Sequence, residues 1–183
     1  MTQGDQTMIA KTLDALWKAS RHGELPVICD ASSCTEGLVQ ALETAVSAGD
    51  TSWSGLRFVD AVQFVAEQLL TDLVVTRRLG SVVIHPTCSS VRTSSNQHLL
   101  TVAAAVAAQD SEPDDWGCCA FAGDRGLLLP ELTASATQRE AEAVEAQHYD
   151  GHASTNRTCE LGLTRATGHR YRHILELLEE ASA

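Results

Sequence analysis

The chain has 183 residues, of which 44% are hydrophobic, and a formal net charge of −11. This length suits one domain, or one domain with a small extension. The negative charge excludes a protein built mainly to bind nucleic acid, because phosphate binding needs clustered Lys and Arg side chains. No apolar run approaches the roughly 20 residues that span a bilayer, and the N-terminus lacks the apolar core of a signal peptide. We therefore expect a cytoplasmic protein without a transmembrane segment.

The predicted elements alternate along the chain. Residues 1–20 are expected to form an N-terminal tail and helix, with the tail over residues 1–8. The main domain is expected to comprise residues 21–183. Strands are predicted at 25–30, 56–61, 80–86 and 149–156, and helices at 36–48, 62–73, 94–109, 128–146 and 170–181. Strands that alternate with helices predict an α/β fold, with a mainly parallel sheet flanked by helices.

Most of the six cysteines fall between the end of a strand and the start of the next helix. Cys34, Cys88, the pair Cys118–Cys119 and Cys159 occupy such positions. In an open parallel sheet these loops meet at one edge, where ligands bind. The pattern predicts cysteine ligands at that edge, whereas Cys29, on an apolar strand, is expected to be a packing residue.

The adjacent residues Cys118 and Cys119 are a poor pair for a disulfide with each other, because the planar peptide between them holds their sulfur atoms apart. An iron–sulfur cluster can instead provide each sulfur with its own iron. Three glycines, Gly117, Gly123 and Gly126, allow the backbone to approach closely there. We expect Trp116 and Phe121 to limit the access of water, which tunes the potential of a redox site.

Three other interpretations remain open at this stage. A structural or interaction domain would bind zinc through His85, Cys88, Cys159 and one of Cys118 and Cys119. A thiol–disulfide protein would use Cys29 with Cys34, or Cys118 with Cys159. In the third interpretation the chain has no cofactor, and its cysteines are core residues. His85, at the end of a strand, is then a structural histidine.

Several motifs occur in a recognisable order: "DASSCTEGL", "HPTCSS", "GCCAFAGDRG", "GDRGLLLPELTASAT" and "NRTCELGLTRATG". With them, residues 25–180 resemble the cysteine-rich C-terminal region of FAD-linked D-lactate dehydrogenases. The same type of domain occurs in heterodisulfide reductases and in the iron–sulfur component of glycolate oxidase. The motif of these domains is a single Cys, then Cys-Cys-Gly, then Cys-x-x-Cys.

The resemblance implies an iron–sulfur cluster, [4Fe–4S] and of the non-cubane type, on Cys88, Cys118, Cys119 and Cys159. The sequence departs from the motif at Ala120, which replaces the glycine. The Cys-x-x-Cys is also incomplete, because Asn156 stands three residues before Cys159 and Gly162 three residues after it. If the position of Ala120 requires a positive φ, alanine costs about 1 kcal/mol there. Cys34 is the candidate for a further metal-binding thiolate.

The resemblance also implies partners. Electrons would pass from a flavin (FAD) domain or subunit to a cytochrome or quinone acceptor. The sequence contains neither a flavin-binding domain nor a C-x-x-C-x-x-C run, so we expect part of an oxidoreductase that is not catalytically complete alone. Contact with such partners would place the protein in the cytoplasm or peripherally at the inner face of the membrane.

Overall fold

The computed structural model describes residues 3–183. The chain divides into two compact units, the first ending at Ala61 and the second comprising Val62–Ala183. The sequence pattern had instead predicted a division after residue 20. The difference arises because the helix before residue 20 shares a hydrophobic core with Trp53 and Leu56. Residues 3–8, expected as a tail, belong to that helix, and residues 1 and 2 lie outside the described residues.

The first unit is built around a short parallel sheet. Its elements are α1 (Gln3–Ala19), β1 (Val27–Cys29), α2 (Ser32–Ser47) and β2 (Phe58–Asp60). β1 and β2 pair in parallel, with Val27 opposite Phe58. Leu13 of α1 is fully buried against Trp53, whose indole Nε1 donates a hydrogen bond of 2.8 Å to Asp14 Oδ1. The predicted strands at 25–30 and 56–61 and the predicted helix at 36–48 are thus confirmed.

The chain continues through a helical segment into the second unit. The segment consists of α3 (Ala61–Phe64), a π-helical turn (Val65–Leu69) and a 3₁₀ turn (Leu70–Asp72). The remaining elements are β3 (Leu79–Ile84), α4 (Cys88–Arg92), α5 (Asn96–Val106), β4 (Ala107–Ser111), α6 (Arg125–Leu128), α7 (Pro130–Glu145), β5 (Gly151–Ser154), α8 (Arg157–Thr167), β6 (Arg172–His173) and α9 (Ile174–Ser182).

The second unit contains a four-stranded sheet in the order β4-β3-β5-β6, and every strand pair is parallel. β3 alternates between the two faces of the sheet. Val82 and Ile84 pack with Leu99 of α5 and Ile174 of α9, whereas Val83 packs in a separate cluster with aromatic and cysteine side chains. Both faces of a parallel sheet must be covered, which explains why Val82, Val83 and Ile84 at the end of β3 are all apolar. The predicted α/β fold with a mainly parallel sheet is confirmed.

Two short strands lie where the sequence predicted helix: β4 at the C-terminal end of one predicted helix and β6 at the N-terminal end of another. The helix predicted at 94–109 ends at Val106, and the next residues form β4 beside β3. The Arg78 guanidinium donates hydrogen bonds to the carbonyl oxygens of Ala104 and Ala107, which satisfies acceptors where the helix stops. The helix predicted at 170–181 begins only at Ile174, because Arg172 and His173 pair with β5.

A histidine stack lies beside β5. The rings of His152 and His169 have centroids 4.5 Å apart and planes inclined by 8°. The ring of Tyr171 packs edge-on against His152 at 5.4 Å. Burial, together with the charges of His169 and His148, lowers the pKa of His152 to about 4.

This histidine makes the protein less stable in mild acid. In the unfolded chain a histidine titrates near pH 6.5, as a rough reference value. Between that pH and about 4 the unfolded state binds the proton more strongly than the folded state, so the free energy of unfolding falls as the pH is lowered. We expect His152→Phe to flatten this dependence in urea unfolding curves recorded between pH 7 and pH 4.5. His148→Phe is the control. It should leave most of the pH dependence in place, because burial is the largest cause of the lowered pKa of His152. An unchanged slope in His152→Phe would contradict the assignment.

Candidate metal site

The site lies at the carboxyl edge of the four-stranded sheet, where the chain changes direction. From β3 the chain crosses to β4 on one side, and from β5 it crosses to β6 on the other side. A crevice forms at such a switch point, and ligands bind there in open α/β sheets. His85 directly follows β3, and Cys88 begins α4. Cys159 lies in the first turn of α8, after β5.

Four thiol groups come together at this edge. The Sγ atoms of Cys119 and Cys159 are 3.0 Å apart and both side chains are buried. This distance is well above the roughly 2.0 Å of a disulfide bond, so both are free thiols. Burial raises the pKa of the Cys88 thiol, and the neighbouring Cys118 adds to this rise. Cys88 and Cys118 are also near enough to Cys159 to contribute to its raised pKa. Cys118 is exposed and Cys88 is half-buried, so the group extends from the core to the surface.

A buried histidine–glutamate pair lies beside the thiols. His85 Nδ1 is 2.7 Å from Glu140 Oε1, and both side chains are almost completely inaccessible to solvent. Glu140 projects from α7, so this contact joins the end of β3 to that helix. The other ring nitrogen, Nε2, is buried without a hydrogen-bond partner of good geometry among the described residues, although Cys119 is close enough to affect the pKa of the ring.

One nitrogen of His85 and the sulfur atoms of Cys119 and Cys159 lie within 4.8 Å of one another. Nitrogen and sulfur donors at this spacing can hold a metal ion. The unpartnered Nε2 supports this assignment, because a buried polar atom without a partner is costly unless a ligand satisfies it. The buried group formed by His85, Cys119 and Cys159 could therefore hold a metal.

The electrostatics favour one thiolate in the buried pair. The hydrogen bond from Cys159, the interaction with His85 and a backbone hydrogen bond from Phe121 lower the pKa of Cys119 to about 5. The hydrogen bond to Cys119 and burial raise the pKa of Cys159 well above its usual value. Burial lowers the pKa of His85, but the interactions with Cys119 and Glu140 outweigh it and raise that pKa to about 9. A thiolate is the form of cysteine that ligates metals.

The loop that carries the adjacent cysteines has an unusual backbone. Ala120 and Ala122 have φ values of 52° and 43°, in the left-handed region that disfavours side chains with a Cβ. The backbone N–H of Phe121, the residue after Ala120, is one of the groups that lower the pKa of Cys119. The Phe121 ring lies over Gly126, where an added Cβ would come within 2.6 Å of the ring. Ala120 therefore adopts the positive φ for which the glycine of a Cys-Cys-Gly motif is suited.

Aromatic side chains border the thiols as expected. Phe121 is buried in one cluster with Cys119 and Cys159. Trp116 is half-buried and meets the His85 ring edge-on, with centroids 6.5 Å apart. The two residues limit the access of water on the buried side of the site.

The remaining predicted residue, Cys34, lies in the first unit. It is exposed in the first turn of α2 and contributes to the raised pKa of Cys29, although burial of Cys29 is the main cause. Cys29 is a buried free thiol on β1, in keeping with its expected packing role. A metal-binding role of Cys34 stays a prediction.

Sequence reasoning missed Glu140 as a site residue. It lies in a helix, α7, that is rich in acidic and small residues, and nothing in that pattern distinguishes Glu140 from its exposed neighbours. Its burial was the missing signal, and burial follows only from the packing of α7 near the end of β3.

Comparison with known proteins leaves the family of the chain open. No model of a protein family matches the sequence. No curated protein matches it either. Among residues 3–183, the helices are too short or too polar to cross a membrane.

The strained alanine provides a stability test. We expect Ala120→Gly to raise the free energy of unfolding of the metal-free protein by on the order of 0.5–1 kcal/mol, because relief of the left-handed strain exceeds the added flexibility of the unfolded chain. Ala134→Gly, at an exposed position inside α7, is the matched control and should lower it by a similar amount. Urea unfolding followed by circular dichroism measures both. A destabilised Ala120→Gly variant would contradict the strain argument.

Proposed function

We propose that this chain is an iron–sulfur electron-transfer domain. Cys88, Cys118, Cys119 and Cys159 would hold a [4Fe–4S] cluster, of the non-cubane type implied by the resemblance. The observation that carries the proposal is that Cys119 and Cys159 pack together at the switch point of the parallel sheet, with Cys88 and Cys118 near enough to influence the pKa of Cys159. Four cysteine thiolates are the usual ligand set for such clusters.

The spacing of the ligands supports a cluster over a single ion. Neighbouring residues Cys118 and Cys119 diverge, since Cys118 is exposed beside Cys88 while Cys119 is buried beside Cys159. A single ion would need all four sulfur atoms around one centre. A cluster with several iron atoms instead accepts ligands from two such pairs, one toward the core and one toward the surface.

The surroundings of the thiols suit a negatively charged centre. The backbone N–H of Phe121 donates a hydrogen bond to the sulfur of Cys119. Cys159 lies in the first turn of the 11-residue helix α8, where the helix dipole favours negative charge. Hydrogen bonds to sulfur and exclusion of water are two means by which a protein tunes the potential of a cluster.

The ordered motifs support a more specific role. Their resemblance to FAD-linked D-lactate dehydrogenases suggests electron transfer from the flavin of another domain or subunit, in the oxidation of D-lactate or a similar 2-hydroxy acid. A cytochrome or quinone would receive the electrons. In this scheme the chain contributes the cluster-binding site, while the substrate is oxidised at the flavin.

The first experiment is anaerobic reconstitution of the full chain with iron and sulfide. We expect about four iron atoms and a comparable amount of acid-labile sulfide per chain. Cys118→Ser should lose most of this iron, because it removes one of the four thiolates. Cys34→Ser is the matched control at another exposed cysteine, and it should keep the cluster if four thiols suffice. Absence of both iron and sulfide in the wild-type protein would refute the proposal.

A zinc site is the second candidate, and one contact specifically favours it. A histidine that ligates zinc usually donates its other ring N–H to a carboxylate, as His85 can to Glu140. His85, Cys119 and Cys159 would supply three ligands, and Cys88 or Cys118 the fourth. The site would then be structural, because tetrahedral zinc with four protein ligands has no open position.

Glu140 distinguishes the two candidates. If zinc binds through His85, Glu140→Gln should weaken zinc binding by about 10–100-fold in a chelator competition assay, because the orientation of the imidazole is lost. If an iron–sulfur cluster binds through four thiols, the same variant should retain its iron and sulfide. Elemental analysis of the anaerobically purified protein, with zinc, iron and sulfide measured on one sample, separates these outcomes. Circular dichroism of the variant checks that the fold is intact.

A further inference from the structure

A run of exposed leucines directly follows the cysteine loop. Leu127, Leu128 and Leu129 are consecutive and exposed, and Leu132 follows them in α7. Leu128 has 72% of its surface accessible to solvent. Three consecutive exposed apolar residues are unfavourable in a soluble protein unless they serve a function. An apolar patch of this kind usually marks a surface for another protein. We call these four residues the leucine patch.

Local hydrogen bonds hold the patch close to the thiols. The N–H of Gly126 donates to the carbonyl oxygen of Phe121 at 2.8 Å, which closes the turn between the cysteine loop and α6. The Phe121 ring packs on Gly126, the residue before the patch. Cys118, three residues before Phe121, is the exposed member of the four thiols. Cys118 and the leucine patch therefore flank the buried residues Phe121 and Gly126 within one short stretch of chain.

The charges around this segment are mostly negative. Asp114 and Asp115 precede the cysteines, Asp124 lies in the turn, and Glu131 lies inside the patch sequence; all four are exposed. Two exposed cations lie here: Arg125 in the turn, and Arg165, whose guanidinium donates a hydrogen bond to the carbonyl oxygen of Gly126. The whole chain carries a formal net charge of −11. Two copies would bring like charges together on association, so this charge pattern disfavours a second copy of the chain and favours a basic partner.

We propose that the leucine patch and its acidic border form the docking surface for a basic electron-carrier protein. The patch would supply the apolar centre of the interface, and the acidic side chains would steer a partner whose own apolar face is ringed by Lys and Arg. Docking there brings the partner next to Cys118, the solvent-facing end of the thiol group. This inference rests on the proposed electron-transfer function.

The test compares two equally exposed apolar residues. Val74 is 73% exposed and precedes β3, at the edge of the sheet opposite the thiols. Leu128→Glu places a negative charge in the patch, and Val74→Glu places the same charge far from it. We expect Leu128→Glu to weaken the binding of ferric cytochrome c, used as a basic probe, by about tenfold or more, as for a central interface residue. Val74→Glu should bind like the wild type.

Binding is measured by isothermal titration calorimetry at two ionic strengths, on both the metal-free and the reconstituted chain. An acidic carrier, flavodoxin, serves as the matched probe and should not bind. The double variant Asp114→Asn/Asp115→Asn should weaken cytochrome binding and reduce its dependence on salt. Equal binding of cytochrome c to Leu128→Glu and wild type, or equal binding of flavodoxin, overturns the docking proposal. A dimer that Leu128→Glu dissociates in sedimentation experiments also overturns it, in favour of a second copy.

The two proposals fail in different ways. If the reconstituted chain holds no iron and sulfide, the electron-transfer function fails whatever the calorimetry shows. If the cluster is present and Leu128→Glu binds the probe like the wild type, only the docking surface fails. With the cluster present and the expected binding, we also expect the dithionite-reduced Leu128→Glu variant to reduce cytochrome c about tenfold more slowly than Val74→Glu in stopped-flow measurements.

Discussion

β3 and β5 lie side by side in parallel, with Ile84 opposite Ala153, so the residues that follow the two strands emerge at the same point. His85 follows one strand and Thr155 follows the other. The hydroxyl group of Ser154 donates a hydrogen bond of 3.0 Å to the carbonyl oxygen of His85, which fixes these ends to each other. From β3 and β5 the chain continues to opposite sides of the sheet, to β4 and to β6, and Cys119 packs against Cys159 at this point. Cys88 and Cys159 are more than 70 residues apart in the sequence, and this strand pairing is what brings the loops that carry them to the same edge of the sheet.

Burial of polar groups at this point has an energetic cost that something must offset. Buried thiols, an imidazole and a carboxylate lie in contact, and burial opposes the charged form of each. The His85–Glu140 contact satisfies one ring nitrogen and one carboxylate oxygen. The second ring nitrogen and the thiols remain, and a metal centre is the kind of ligand that turns such a set of donors into a favourable interaction. The same reasoning explains why the polar cluster lies at a sheet edge and not within the strands, whose side chains form the apolar core.

Much of the fold could be predicted from local patterns. β3 carries three β-branched residues in a row, and a proline follows two residues after its end, so both its existence and its end are visible in the sequence. β4 was not visible, because Ala107 and Ala108 continue an alanine-rich helix and only pairing with β3 makes the segment extended. β6 is two residues long and is likewise defined by its partner strand. In both cases pairing with a neighbouring strand outweighs the local helix propensity of the residues. For the site, the sequence singled out His85, Cys119 and Cys159, which the structure brings together, whereas Glu140 depended on three-dimensional packing.

Asn156 shows how the departures from the motif fit the structure. It occupies the N-cap position of α8, and its side-chain Nδ2 donates a hydrogen bond of 3.1 Å to Ser89 Oγ in α4. Next to it, the hydroxyl groups of Thr155 and Thr87 are 3.5 Å apart. These contacts link the start of α8, which carries Cys159, to the start of α4, which carries Cys88. Because Asn156 is buried in this polar contact, it holds together the two helices that carry Cys88 and Cys159.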